Sequence, residues 1–422
     1  MITYRIIKEL NRKSKGFDTG KINVSSLFFA DDGLLINSDR AEAEYAIGQL
    51  QIIASKYGLK INKEKSSAML FNAKQTIDQI GGIQVVKEFK YLGITISNGR
   101  DIFKTHKDKK IKLAEKLSNL TYSVISKSTN RLLIGKTFWK CIALPAILYG
   151  SNIVEWNVRE IEKLEVIQNQ VCKKILNAPK WATNSATRSE IGMSTMKYRI
   201  IQGRINYINN RRNGNELIRT VINELETNEG KWKTYTKKQC EKINVNQDFI
   251  QGKSKQEIRR IINDKDTEKW KQEMQEKKTL LYYRDKKKEI KQDEEYDNTR
   301  ESDLWFRTKT NCLYLEDRKK DNKTCKICMN TPIEDLSHFL LHCEKLNEIR
   351  GESLQLQRPR MEDDFTTITT FLFDKSDEEQ KKSVIKKLWT KRRSLLLAMD
   401  NGINNIDAVD STHLDDPYPS LT

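Results

Sequence analysis

The stretch SSLFFADDGLLIN, residues 25–37, sets two adjacent carboxylates, Asp31 and Asp32, between two apolar runs. VSSLFFA and GLLI have the length and the apolar, aromatic character of short β-strands, and they meet at Asp31-Asp32-Gly33. Asp-Gly is a favoured hairpin turn, so the plain reading is an exposed tip that needs turn residues. That reading explains a hairpin but leaves open why two like charges stand side by side at its apex.

Working outward, Asp39 with Glu42 forms a capping-box pattern. Ala46, Ile47, Leu50, Ile53, Ala54 and Tyr57 then repeat at helical spacing before Gly58. GLKINKEKSSAMLF (58–71) returns to strand character, and EFKYLGITI (88–96) reads as a further β run containing Gly93. The first hundred residues are therefore expected to be α+β, a helix on an antiparallel sheet.

From 101 to about 215 the pattern is helical. IEKLEVIQNQVCKKIL (161–176) places Ile161, Leu164, Ile167, Val171 and Ile175 on one face. TFWKCIALPAILYGSNIVEW (137–156) is the most apolar stretch, but Lys140, Pro145 and Asn152 interrupt it, so a core helix is expected and no membrane span. Residues 216–300 are dense in both signs of charge, as in DKKKEIKQDEEYDNTR (285–300). They are expected to form a solvated helical connector, with phosphate contact as the other reading. A segment 301–350 follows, and then 351–422, read as a C-terminal helix and an acidic, Pro-containing disordered tail (407–422).

Lys and Arg number 76 against 58 Asp and Glu, a net charge of +18 that favours polyanionic partners, RNA and DNA first. The opening MITYRIIKELNRKSK breaks its apolar residues with charge and lacks the apolar core of a secretory signal, so an intracellular location is expected. Seven scattered cysteines argue against a disulfide framework, and Cys141, Cys172, Cys240 and Cys312 are expected to pack in the core.

The other three thiols fall in CKICMNTPIEDLSHFLLHC. Cys325 and Cys328 can close a tight knuckle on one ion, and His338 with either His342 or Cys343 supplies a second pair at ligand spacing. Thiolates with imidazole favour Zn2+ over Mg2+ or Ca2+, and four protein ligands would make the site structural. Nearby Trp305, Phe306, Arg307, Lys309, Arg318, Lys319 and Lys320 mix aromatic and basic groups. They read either as a surface that stacks on bases and neutralises phosphates, or as core aromatics with solvated cations.

FFADDG, GLKINKEKS and EFKYLGI in this order, then a helical stretch and a Cys-Cys-His-Cys cluster, resemble the reverse transcriptases of non-LTR (LINE-type) retrotransposons over roughly residues 1–350. The resemblance implies a partial polymerase palm (1–100), a thumb-like helical region (101–215) and a zinc knuckle. It implies Mg2+ at Asp31 and Asp32 for nucleotidyl transfer, with Asp31 the principal ligand. Lys65 would lie near the incoming triphosphate, and KYLG (90–93) would be the hairpin that braces the primer end. Cys343 rather than His342 would be the fourth zinc ligand. RNA and DNA are the implied partners and the nucleus the implied location.

The family's palm also has an upstream aspartate strand, a Pro-Gln-Gly segment and fingers, which residues 1–30 do not match; their only acids are Glu9 and Asp18. The opening resembles instead the helix that precedes the Asp-Asp hairpin. The chain thus reads as the C-terminal half of the enzyme, expected to be inactive alone and to pair with a separately encoded N-terminal half. The alternative reading is a zinc-dependent RNA- or DNA-binding protein without catalysis.

Overall fold

A computed structural model describes residues 2–400 except 19, 74–76, 228–229, 251, 293, 295, 316–322, 330–332 and 352–362. In chain order it runs α1 (Ile2–Lys13), β1 (Phe17–Asp18), β2 (Asn23–Val24), β3 (Ser26–Phe29), β4 (Asp32–Leu35), α2 (Arg40–Lys56), β5 (Gln79–Ile80), β6 (Ile83–Gln84), β7 (Glu88–Tyr91) and β8 (Ile94–Ser97). Helices then dominate: α3 (Lys104–Ile125), α4 (Arg131–Phe138), a π-turn (Trp139–Ala143), α5 (Leu144–Leu148), α6 (Val158–Ile175), α7 (Asn184–Ile191), α8 (Met196–Arg212), α9 (Glu216–Thr227), α10 (Lys231–Glu241), α11 (Gln247–Ile250) and α12 (Lys255–Gln275). The last are α13 (Arg300–Lys309), a second π-turn (His338–His342), α14 (Asn347–Arg350), α15 (Asp364–Phe373) and α16 (Glu378–Asp400). The acidic tail 407–422 lies outside the described residues.

The chain divides into two compact units built from non-contiguous stretches. One takes residues up to 113, 147–163 and 197–262; the other takes 114–146, 164–196 and the described residues from 263 on.

In the first unit α1 and α2 hold the β3–β4 hairpin. Ile6, Leu10 and Ile53 are buried against Phe28, Leu35, Leu50 and Tyr57. The Asn11 carboxamide oxygen accepts from both Ser25 and Ser26 hydroxyls (2.6 and 2.8 Å), pinning the start of β3 to α1. Asp39 caps α2 by accepting from the Glu42 amide (2.9 Å), but Glu42 does not return the bond as a full box would. Its carboxylate takes the Lys15 amide (2.6 Å) and the Ser14 hydroxyl (3.2 Å), tying α2 to the end of α1.

Among the described residues the expected single sheet is instead four separate two-stranded antiparallel sheets. Residues 58–71 contribute only one isolated bridge, Ala68 to Val85, because Asn62 diverts the backbone. Its side chain accepts from the Lys65 amide (3.1 Å) and its carbonyl from Ser66 (2.8 Å). Residues 88–96 are not one strand but the hairpin β7–β8, turned by Leu92 and Gly93 at φ +46° and +83°. Two positive φ values define the I′ turn that matches strand twist. A Cβ at position 93 would come within 2.9 Å of the Tyr149 ring, whose hydroxyl donates to the Leu92 carbonyl (2.7 Å).

The charge-dense stretch is not a solvated connector. Cys240, Ile243, Val245, Ile250, Ile258 and Ile262 from α10–α12 bury against Tyr198, Ile201 and Ile205 of α8. In α6 the face expected from periodicity is buried, Ile161, Leu164, Ile167, Val171 and Ile175 all being nearly inaccessible. The apolar stretch 137–156 is helical only to Leu148, and a π-turn precedes Pro145, whose ring nitrogen has no proton to continue an α-helical ladder. Cys172, Cys240 and Cys312 are buried as expected, whereas Cys141 is exposed on the outer side of that turn.

His106 of α3 is buried between the β7–β8 hairpin and residue 149. Its Nδ1 accepts from the Thr95 amide (3.3 Å), which leaves Nε2 to donate to the Tyr149 carbonyl (3.3 Å). Burial, with Lys110 and Lys109 nearby, lowers its pKa below the ordinary value of 6.5. Between the folded pKa and 6.5 the unfolded chain takes up a proton that the folded chain refuses, so stability falls as pH drops through that window. Denaturant unfolding at pH 7.5, 6.5 and 5.5 should show this decline, and His106→Gln should flatten it.

Candidate catalytic hairpin and metal centre

Strands β3 and β4 pair in the register Phe29 to Asp32, Phe28 to Gly33, Leu27 to Leu34 and Ser26 to Leu35. The turn is therefore Ala30-Asp31, two residues earlier than the Asp32-Gly33 pair suggests. Gly33 serves a different end, since a Cβ there would lie 2.6 Å from the Phe28 ring that crosses it. Ala30 takes φ +56°, a position at which hairpin turns prefer glycine and which costs an L-residue ~1–2 kcal/mol. Such strain persists only where surrounding packing imposes it, as the anchored Phe28 and Leu35 do here.

Asp31 and Asp32 are both exposed, and among the described residues neither is ion-paired to a cation. Phe29 beside them is 66% exposed. The remaining acids of the first thirty residues are committed. Glu9 is paired with Lys56 (2.5 Å), which lowers its pKa, and Asp18 accepts from the Gly20 amide (2.8 Å) in a local turn.

Tyr91, at the end of β7, has a pKa raised by burial and by the charge of Asp32, so the KYLG hairpin approaches the acidic tip. Lys65 sits exposed in the turn capped by Asn62. Carboxylate oxygens in this exposed pair suit a hard cation such as Mg2+.

The second site is in the other unit. Cys325, Cys328, His338 and Cys343 bring their S and N atoms within 4.8 Å of one another in a buried cluster, the geometry of a four-ligand metal centre. Cys328 Sγ and His338 Nε2 are 3.4 Å apart. Backbone amides of Ile327 and Cys328 point at Cys325 Sγ and that of Lys345 at Cys343 Sγ, an arrangement that stabilises thiolates. The hydrogen bond that the Cys325 thiol makes to Cys343, together with burial, pushes Cys325 up to about 12, and the same bond, against burial, holds Cys343 below its ordinary value.

The choice between His342 and Cys343 is made by the backbone. Residues five apart in an α-helix point ~140° away from each other. The π-turn His338–His342, closed by the Cys343 amide donating to the His338 carbonyl (2.9 Å), swings Cys343 back beside His338. His342 faces outward and pairs with Asp364 (2.5 Å).

Residues 1–96 match the family model of reverse transcriptase (RNA-dependent DNA polymerase). No curated protein and no solved structure matches the chain. The matched stretch runs from α1 through the β7–β8 hairpin and contains Asp31, Asp32, Lys65 and KYLG; the Cys/His cluster lies beyond it. The first 96 residues are therefore similar to reverse transcriptases. Among the described residues no helix is long and apolar enough to cross a membrane.

Trp305, Phe306 and Lys309 are buried, Lys309 paired with Glu294, and Arg318, Lys319 and Lys320 lie outside the described residues. Exposed aromatics of this unit lie elsewhere and include Trp181 (40%) and Tyr314 (37%), rings 5.6 Å apart and tilted by 50°. Lys180 is exposed beside them, and Lys173 donates to the Lys180 carbonyl (2.7 Å). The Trp-Ala pair in LNAPKWAT gave no sign of this, since only the fold brings Tyr314 alongside.

If packing imposes the strained turn, Ala30→Gly should stabilise the hairpin by ~0.5–1 kcal/mol, less than the full strain because the unfolded chain also gains freedom. Amide exchange at Phe29 and Asp32 should slow by roughly two- to fivefold.

Proposed function

We propose that this chain carries the metal-binding hairpin of a non-LTR retrotransposon reverse transcriptase, and that its chemistry is RNA-directed DNA synthesis. The observation that carries the reading is the reverse-transcriptase match over the same 96 residues that present Asp31 and Asp32 uncompensated at a strained hairpin tip. Asp31 in the turn and Asp32 at the start of β4 would hold Mg2+, which when bound supplies the charge that favours attack by a primer 3′ hydroxyl and departure of pyrophosphate. Lys65 would neutralise the incoming triphosphate. Tyr91, Leu92 and Gly93, in a turn fixed by Tyr149, would hold the primer end beside the acids.

The Cys325, Cys328, His338 and Cys343 cluster would hold structural Zn2+, four soft donors leaving no position for water. RNA and DNA are the partners, and the nucleus is the place of action. Glu9 and Asp18 are engaged locally and are not offered at the tip, and residues 1–422 are proposed to be inactive by themselves.

A second reading, a nucleic-acid-binding protein without catalysis, is favoured by the exposed Trp181–Tyr314 pair with Lys180. Rings already in contact at 5.6 Å admit no base between them but offer an outer face for stacking.

Labelled nucleotide incorporation on a primed RNA separates the readings. The chain alone should incorporate none. Supplying an upstream reverse transcriptase segment should restore incorporation, and Asp31→Ala should cut it by about 10²–10³-fold while leaving RNA retention unchanged. Incorporation by the chain alone that Asp31→Ala abolishes would refute dormancy. Complemented activity indifferent to Asp31→Ala would refute the metal role of the hairpin.

A further inference from the structure

Glu334 lies nine residues beyond Cys325 and its side chain is 2% exposed. One carboxylate oxygen is 3.8 Å from Cys325 Sγ, and the Glu334 amide donates to the Lys323 carbonyl (2.8 Å), so the residue is built into the knuckle. Its partner comes from far along the chain. Arg392 of α16 reaches Glu334 through Nε (2.7 Å) and a terminal guanidinium nitrogen (2.6 Å), the two-point geometry that suits a carboxylate, and is itself 5% exposed. The guanidinium also lies over the Trp389 ring, 5.2 Å from its centroid, and Trp389 meets Phe339 of the π-turn edge-on at 6.0 Å. Val384, Ile385 and Leu388 are buried on α16.

We infer that Arg392 is a positioning residue of the metal centre, so that metal occupancy and docking of α16 are one coupled event. The inference rests on the reading of the cluster as a zinc site. Three thiolates and a neutral imidazole around a divalent cation leave one net negative charge in a buried place. Glu334 sets a second one against it, close to Cys325. Water is excluded, so like charges there are expensive unless a cation answers them. Arg392 is that cation. It cancels the carboxylate and orients it, and through Trp389 it fixes the helix that closes over the π-turn carrying His338. Outer-shell partners of this kind commonly change metal affinity by about 10–100-fold. Coupling is reciprocal, so a bound metal must stabilise the docked helix by the same factor.

The charge argument gives the two halves of the ion pair different effects, which a purely mechanical brace would not. In the full chain, Co2+ binding can be followed by its thiolate charge-transfer and d–d bands and Zn2+ affinity by competition against the cobalt form. Arg392→Met leaves the carboxylate facing the thiolates and should weaken binding by about 10–100-fold. Glu334→Gln removes the carboxylate and leaves a cation nearby, so affinity should hold or rise. The double variant should return to near the unaltered value, and it keeps the test open if Arg392→Met alone fails to fold. Hydrogen exchange at 384–392 should quicken when metal is stripped from the unaltered chain. Equal weakening by both single variants, or no effect of either, would overturn the inference. Absence of cobalt binding to the unaltered chain, with Cys343→Ala as the reference for an abolished site, would overturn the zinc reading itself.

Discussion

The packing of Phe28 and Leu35 onto Ile6, Leu10 and Ile53 is the constraint on which the acidic tip depends. A two-stranded hairpin is marginal in water by itself, and here α1 and α2 supply the apolar surface that fixes it. With Phe28 held inward, the register places Gly33 under its ring and leaves Ala30-Asp31 to turn the chain, strained φ included. The same register puts Asp31 at the apex and Asp32 at the first paired position. Without it both carboxylates would be ordinary surface charges in a mobile loop.

The large number of charged residues takes a different form in each part of the chain. Much of the charge is internal. Lys107, nearly inaccessible, answers Asp101 (2.7 Å) and Glu160 (2.9 Å). Arg188 meets Asp266 (3.1 Å) with both side chains buried, and Glu190 accepts from the Tyr283 and Tyr296 hydroxyls (2.5 Å each) with Lys287 at 3.5 Å. Removing one partner of a buried pair costs roughly 3–5 kcal/mol, so these groups specify packing and are not a reservoir for phosphate binding. The exposed excess, including Lys180 beside Trp181, is what a polyanion meets.

Several elements were legible in the sequence because their signals are local. Asp39 and the helical repeat through Tyr57 gave α2, the Ile161-to-Ile175 face gave α6, and soft donors clustered in nineteen residues pointed to the Cys/His cluster that the fold gathers. The misreadings came from what depends on distant contacts. Asp-Gly looked like the turn because the register is set by Phe28 packing on α1. By its residues EFKYLGITI looked like one β run because Leu92 adopts a conformation that its residue type disfavours, and only the family resemblance put a hairpin at KYLG. Charge density at 216–300 concealed a run of isoleucines that only α8 could bury. Trp305 and Phe306 could not be told from Trp181 by composition, since burial is a property of the fold. The two candidates for the fourth soft ligand differ by one residue, and a π-turn, invisible in a spacing rule, brings Cys343 to the others.

The most direct test of the account is where a divalent cation settles on the folded chain. Mn2+ titrated at substoichiometric amounts broadens nuclear resonances near its site, and the account predicts broadening centred on residues 30–33 and reaching Tyr91, lost in Asp31→Asn/Asp32→Asn. Broadening spread evenly over exposed acids, or unchanged in that variant, would contradict the claim that the hairpin tip exists to hold a metal.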